Sequence, residues 1–166
     1  MSKVSWCQQA LATPTVRIQS EDFDLQAEIE HARKASAGIG AVVTFSGICR
    51  DEGGILSALH LEHYPGMAHA SIQRIADAAI ARFGLNALSV IHRYGTIPVG
   101  DNIVLVVAAA PHRQSAFDGA NYVMDYLKTE APFWKKMVST DGTDNHWVEP
   151  RNADTESQVR WIAPPA

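Results

Sequence analysis

The run Asn102–Ala110, NIVLVVAAA, limits the possible folds more than any other stretch of this chain. It is almost wholly apolar and begins with β-branched residues, so it reads as a long strand near the middle of a sheet. The turn Pro98-Val99-Gly100-Asp101 precedes it, and Ala87–Gly95 before that turn reads as another strand. Strands joined by so short a connection pair antiparallel. On the other side, Pro111-His112-Arg113-Gln114-Ser115 leads into a helix, AFDGANYVMDYLKTEA, with Ser115 as N-cap. Pro132 closes that helix. Phe133–Thr140 and Asn145–Glu149 then flank DGTD as the two arms of a hairpin.

The first half of the chain follows the same grammar. Val16–Gln19 alternates as a short strand. Asp22 and Asp24 precede LQAEIEHARKA, which ends in Arg33 and Lys34. Acidic residues at the start and basic ones at the end complement a helix dipole, and Gly38 ends the segment. Ile39–Arg50 is a strand, Asp51–Gly54 a turn, and Ile55–His63 an alternating strand expected to pair back on it. After the Tyr64-Pro65-Gly66 break, residues 67–83 carry Ile72, Ile75, Ala79 and Phe83 at helical spacing, and Gly84 caps the end. The order β-α-β-β-α-β-β-α-β-β predicts an α+β fold with a mainly antiparallel sheet and helices packed on it. Residues 1–14 read as a flexible tail, 15–151 as one domain and 152–166 as a second tail that need not be fully ordered.

Bulk properties exclude several classes. A chain of 166 residues, 46% hydrophobic, buries a substantial core as one domain. A formal net charge of −4 argues against a general nucleic-acid binder, so any anion site is a local cluster. Cys7 and Cys49 form no CxxC pair and sit at no zinc-ligand spacing. Neither a hydrophobic signal-peptide region nor an 18-residue apolar stretch is present, which points to a soluble protein of the cytoplasm with no membrane role. No GxGxxG and no GxxxxGK[ST] occurs.

The stretch Met124–Lys136, MDYLKTEAPFWKK, carries the most suggestive chemistry. It places Lys128 near a helix end and Lys135 and Lys136 after the proline break, beside Phe133 and Trp134. These amines read either as a solvated basic edge or as the lining of an anion pocket with aromatic walls. Phe117, Asn121, Met124 and Lys128 share one helix face, where Phe117 and Met124 serve equally as core. Alternation sends Lys135 and Lys136 to opposite faces of their strand and leaves open which one points inward. His112 and Arg113 sit where a helix N-terminus offers free N–H groups to an anion; alternatively, Arg113 pairs with Asp118. Arg50 ends a strand, and Phe45 faces away from it unless a bulge intervenes. His60 and His63 fall on opposite strand faces, with Glu62 and His63 as local polar partners at most. Cys49 reads as a buried small group or as a thiolate activated by Arg50.

In order along the chain, TFSGICRDE, LEHYPGM, VIHRYGTIPVGD, PHRQSAF, MDYLKTEAPFWKK and HWVE closely resemble the large, catalytic subunits of molybdopterin synthase. The resemblance covers Val16 to Arg151 and implies an α/β hammerhead-like fold with an additional small hairpin region. It implies an enzyme of molybdenum-cofactor biosynthesis, a sulfurtransferase that needs no cofactor or metal of its own. Such an enzyme converts cyclic pyranopterin monophosphate (precursor Z) into molybdopterin by inserting two sulfurs as a dithiolene. The sulfur arrives as a thiocarboxylate on the C-terminal Gly-Gly of a small ubiquitin-like partner subunit. The implied assembly is a heterotetramer, a homodimer of large subunits with a small subunit at each end. Carried over by motif, Lys128 and Lys135 are catalytic, Lys128 beside the partner's tail and Lys135 near the pterin. Arg50, His112, Arg113, Phe45, Met124 and Arg151 would bind the phosphate-bearing substrate. The chain departs from the family pattern at Pro111, where a small residue is expected, and at Ile48, where a basic one is expected.

Two other readings of the same residues carry different chemistry. Lys128 beside an apolar wall suits a Schiff-base lyase, which borohydride trapping would reveal. The same basic pocket also suits a non-catalytic module that binds a phospholigand or a peptide tail.

Overall fold

The computed structural model describes residues 12–51, 53–140, 146–148 and 157–162. Along the chain these form β1 (Thr15–Gln19), α1 (Leu25–Lys34), β2 (Ala41–Ile48), β3 (Leu56–His63), α2 (Pro65–Phe83), β4 (Ala87–Arg93) and β5 (Gly95–Pro98). Then follow β6 (Asn102–Ala110), α3 (Arg113–Glu130), β7 (Phe133–Ser139), β8 (Trp147–Val148) and a short α4 (Val159–Ile162). The strands build two four-stranded sheets, ordered β1-β4-β6-β2 and β5-β3-β7-β8. The β1–β4 pair is parallel and every other pairing is antiparallel, so the fold is α+β with antiparallel sheets.

β6 is central because both of its faces are apolar. Val104, Val106, Ala108 and Ala110 face α2 and α3, joining Ile72, Ile75 and Val123 in the larger core. Leu105, Val107 and Ala109 point the other way, onto Ala32 of α1 and Ile91 of β4. Full burial of a leucine or valine contributes about 1.5–3 kcal/mol, so this strand alone anchors the first sheet. The second sheet has a smaller core of Cys49, Leu56, Leu61 and Ile97. Ile103 packs against both cores and joins the two halves.

Local chemistry explains most boundaries. Asp24 caps α1, its carboxylate accepting from Ala27 N–H at 3.0 Å. That helix ends at Lys34, before Gly38, with Ala35 N–H bonded to the Ala32 carbonyl. Pro65 does not interrupt α2 but opens it, since a first-turn proline loses no helical hydrogen bond. Gly84, at φ +62°, supplies the left-handed cap.

Several expectations are corrected. β3 does not pair back on β2; it lies between β5 and β7 in the other sheet. The chain leaves β2 with Cys49 N–H bonded to the Asp101 carbonyl and Gly100 N–H bonded to the Cys49 carbonyl. Those bonds tie the strand end to the β5–β6 turn, and Gly53 and Gly54, both at positive φ, turn it away. His112, not Ser115, is the N-cap of α3, and Ser115 lies within the first turn. Phe117 is not core: it is 53% exposed, because the buried stripe of α3 runs through Ala116, Ala120, Val123 and Leu127. The tight turn predicted at DGTD and the position Arg151 lie outside the described residues. Residues 157–162 dock on α3, with Trp161 Nε1 donating to the Asp125 carboxylate at 2.6 Å.

Candidate active site

Pro132 ends α3 and starts β7, and this bend brings the two ends of the lysine-rich stretch around one cleft. The cleft has a volume of about 190 Å³ and lies between the two sheets. From α3 come Met124, Leu127 and Lys128; from β7 come Phe133 and Lys135. β2 contributes Phe45, Gly47 and Ile48, and the remaining wall is Leu59, His92, Ile103, Val104 and Ala131. The pairing of β7 with β3 decides which of the two adjacent lysines points inward. Phe133 and Lys135 face the cleft, while Lys136 points away and places its ammonium 6.0 Å from the Trp147 ring.

A bulge shapes the β2 wall. The register with β6 shifts between Gly47 and Ile48, so Ile48 lines the same cleft as Phe45 and Gly47 despite its odd spacing from them. Gly47 is required there, since a Cβ would approach Val104 Cγ1 to 2.6 Å. The structure thus brings together Phe45, Met124, Lys128 and Lys135. Arg50 is exposed two residues past the end of β2 and does not line the cleft. His112 and Arg113 sit exposed at the opposite end of α3. Arg113 makes no ion pair among the described residues, and Asp118 accepts from Gln114 at 2.9 Å instead.

Sequence reading assigned no role to His92, which lines the cleft and is 8% exposed. Its ring stacks on Phe133 with centroids 3.8 Å apart, and its Nδ1 lies 2.8 Å from the Arg93 carbonyl oxygen. Burial pushes the imidazole down to about 4; the bond to Arg93 opposes this, and nearby Lys135 and His63 add to it. The available signal was a histidine inside an otherwise apolar strand, VIHR. His63 continues the aromatic column, 5.6 Å from Phe133 and 4.7 Å from Tyr94.

Other candidates resolve into structural roles. Cys49 is free and 1% exposed, and burial pushes its thiol up, the opposite of an activated thiolate. His60 bonds Thr96 at 2.9 Å and pairs with Glu62 at 3.6 Å, so Glu62 partners the residue two before it, not His63. No group of three or more His, Cys, Asp or Glu among the described residues is placed to hold a metal. No described helix is long and apolar enough to cross a membrane.

An α+β domain with two lysines converging on an aromatic-walled cleft is the setting in which the comparisons with known proteins fall. The family model described as MoaE protein matches residues 18–130. A molybdopterin synthase catalytic subunit of Mesorhizobium japonicum is 59% identical over 152 residues, covering 92% of this chain and 96% of that protein. One of Rhizobium meliloti is 58% identical over 152 residues, covering 91% and 98%. Among solved structures, the molybdopterin biosynthesis MoaE protein of Burkholderia ambifaria has a TM-score of 0.78 at 42% identity, covering 91% of this chain and 99% of that one. This chain belongs to the MoaE family.

Proposed function

We propose that this chain is the catalytic subunit of a molybdopterin synthase and acts as a sulfurtransferase in the cytoplasm. It moves two sulfurs onto precursor Z, one from each of two C-terminal Gly-Gly thiocarboxylates of the small ubiquitin-like partner, forming the dithiolene and leaving each tail as a carboxylate. The observation that carries this reading is the convergence of Lys128 and Lys135, from two elements, on one cleft walled by Phe45, Met124 and Phe133. The thiocarboxylate is an anion and the substrate carries phosphate, so both need cations in a globally acidic chain. Proton transfers accompany dithiolene formation, and a positioned lysine serves such steps as acid or base. Lys128, at the last turn of α3, meets the partner's tail; Lys135, on β7, meets the pterin.

His112, Arg113 and the cleft lie at opposite ends of α3, separated by roughly 22 Å at 1.5 Å per residue. We therefore assign these two side chains to the cleft of a second copy of the chain in the homodimer at the centre of the heterotetramer. To Arg50, just beyond the β2 wall, and to Arg151 we assign phosphate binding as well.

The test is a single-turnover assay with thiocarboxylated partner and precursor Z, measuring dithiolene product. Product from the native chain, and little from Lys128→Ala or Lys135→Ala while the partner still binds, supports the reading. A formed complex that yields no product would instead favour a module that only binds the tail or a phospholigand.

A further inference from the structure

His92 holds a lone pair that no described residue engages. The Arg93 carbonyl can only accept, so the 2.8 Å contact requires that His92 Nδ1 carry the proton. The ring is neutral at neutral pH, which leaves Nε2 as an acceptor. Nε2 makes no hydrogen bond among the described residues. It is not among the sealed, unpartnered side-chain atoms of the described residues, and His92 is one of the residues that line the cleft. The ring cannot swing away, because Phe133 stacks on one side of it and the Arg93 bond fixes its edge.

The other side chains of the cleft sharpen the point. Lys128 and Lys135 are donors only, and the remaining lining side chains are hydrocarbon apart from the thioether of Met124. Among the described lining residues, His92 therefore supplies the one nitrogen or oxygen acceptor on a side chain. The lysines suit the anionic parts of a ligand; among the described lining side chains, an N–H or O–H of that ligand finds its nitrogen or oxygen acceptor in His92. A ligand that covered Nε2 with an apolar edge or another acceptor would leave a polar atom buried and unpaired, which weakens binding sharply.

Resting on the function proposed above, we infer that His92 is a specificity-determining substrate contact, whose Nε2 accepts a hydrogen bond from an N–H or O–H of the substrate's heterocycle. Its position favours the small substrate over the partner's tail. His92 feels the charge of Lys135, the β7 lysine, and stacks on Phe133 of the same strand, whereas Lys128 enters the cleft from α3. At neutral pH the imidazole is too weak a base to take a proton, so it selects and orients and does not act as the general base.

The experiment measures substrate affinity and single-turnover rate for the intact complex with His92→Phe, His92→Asn and His92→Gln, with partner affinity and thermal stability alongside. Phe keeps a ring on Phe133 but no lone pair. Asn keeps a donor for the Arg93 carbonyl but cannot reach into the cleft. Gln places an acceptor near the position of Nε2. We expect Phe and Asn to weaken precursor Z binding about tenfold at unchanged partner affinity, and Gln to recover to within about threefold of native. Native binding by the Phe or Asn variant would overturn the inference, as would a loss confined to partner affinity. Should the variants fold poorly, the native chain still decides: the His92 Nε2 nitrogen resonance shifts on adding precursor Z, and an unmoved resonance at saturation overturns the assignment. If the native complex forms no product, the functional reading fails by itself, and the resonance still reports whether the heterocycle meets His92.

Discussion

The two ends of α3 carry residues of similar charge in opposite settings. At the N-terminal end His112 and Arg113 are exposed, the cap has no side-chain hydrogen bond, and no acidic residue occupies the first turn. At the C-terminal end Leu127 is buried, Lys128 lines a cleft, and Asp125 and Thr129 are gripped by residues 158–161. The first end is an open donor surface; the second is a built wall. One rigid helix thus holds His112 and Arg113 too far from Lys128 to share a cleft within one chain. A motif map along the sequence shows which residues belong to one chemistry, but the helix decides which of them can meet within one chain.

The largest effect belongs at the built end. Lys135→Ala and Lys128→Ala should each lower the single-turnover rate by about 100-fold or more, the range for losing a positioned acid or base. Partner affinity should fall more for Lys128→Ala than for Lys135→Ala, since Lys128 is assigned to the tail. Equal losses in both quantities for both variants would erase the distinction between the α3 lysine and the β7 lysine.

The open end is tested by complementation. Arg113→Ala should cost about 10- to 100-fold, as expected for a lost charge-assisted hydrogen bond. If the arginine acts in a second copy's cleft, mixing Arg113→Ala chains with Lys135→Ala chains should restore activity. Random pairing leaves about a quarter of the sites with both native residues, in mixed dimers only. Mixtures no more active than either variant would place Arg113 and Lys135 in the same chain's site and break the comparison.

How much of this was legible in the sequence follows from where the information lies. β6 and α2 were legible because apolar periodicity is local: Ile72, Ile75 and Ala79 lie on one buried face as their spacing requires. The clustering of lysines was legible, yet alternation could not say which amine turned inward, since that depends on the pairing of β7 with β3. The β2–β3 hairpin was misread because the turn residues suit one. The deciding bonds, from Cys49 to Asp101 and Gly100, join residues more than fifty positions apart in the chain. The Ile48 bulge and the open nitrogen of His92 were illegible for the same reason. Both arise only when β2, β4, β6 and β7 meet.

A smaller effect separates buried from exposed polarity near the cleft. The His92 imidazole is held at about 4 against an ordinary 6.5, chiefly by burial, so the folded chain favours its neutral form. Between those values the unfolded chain binds the proton and the folded one does not. Stability from this group is therefore full above about pH 6.5 and is lost as pH falls toward 4, by at most about 3 kcal/mol. Urea melts from pH 7 to 4 should show this slope in the native chain and a shallower one in His92→Gln. Identical slopes would mean that the residue is not buried neutral in solution.

The smallest effect concerns what holds the built end in place. Arg74 of α2 pairs with Glu130, the last residue of α3, across an exposed surface where the arginine side chain is 63% exposed. The carboxylate raises the Arg74 pKa through their hydrogen bond, but a pair so wet contributes little to stability. Arg74→Ala should lower stability by less than about 1 kcal/mol, and that difference should vanish in about 1 M salt, where charges are screened within a few ångströms. The single-turnover rate should stay within about twofold of native, because Val123 and Leu127 fix the helix from its buried side. A tenfold loss of rate at native stability would show that the wall carrying Lys128 depends on a surface contact. The contrast between the two ends of α3 would then be one of loops and charges, not of packing.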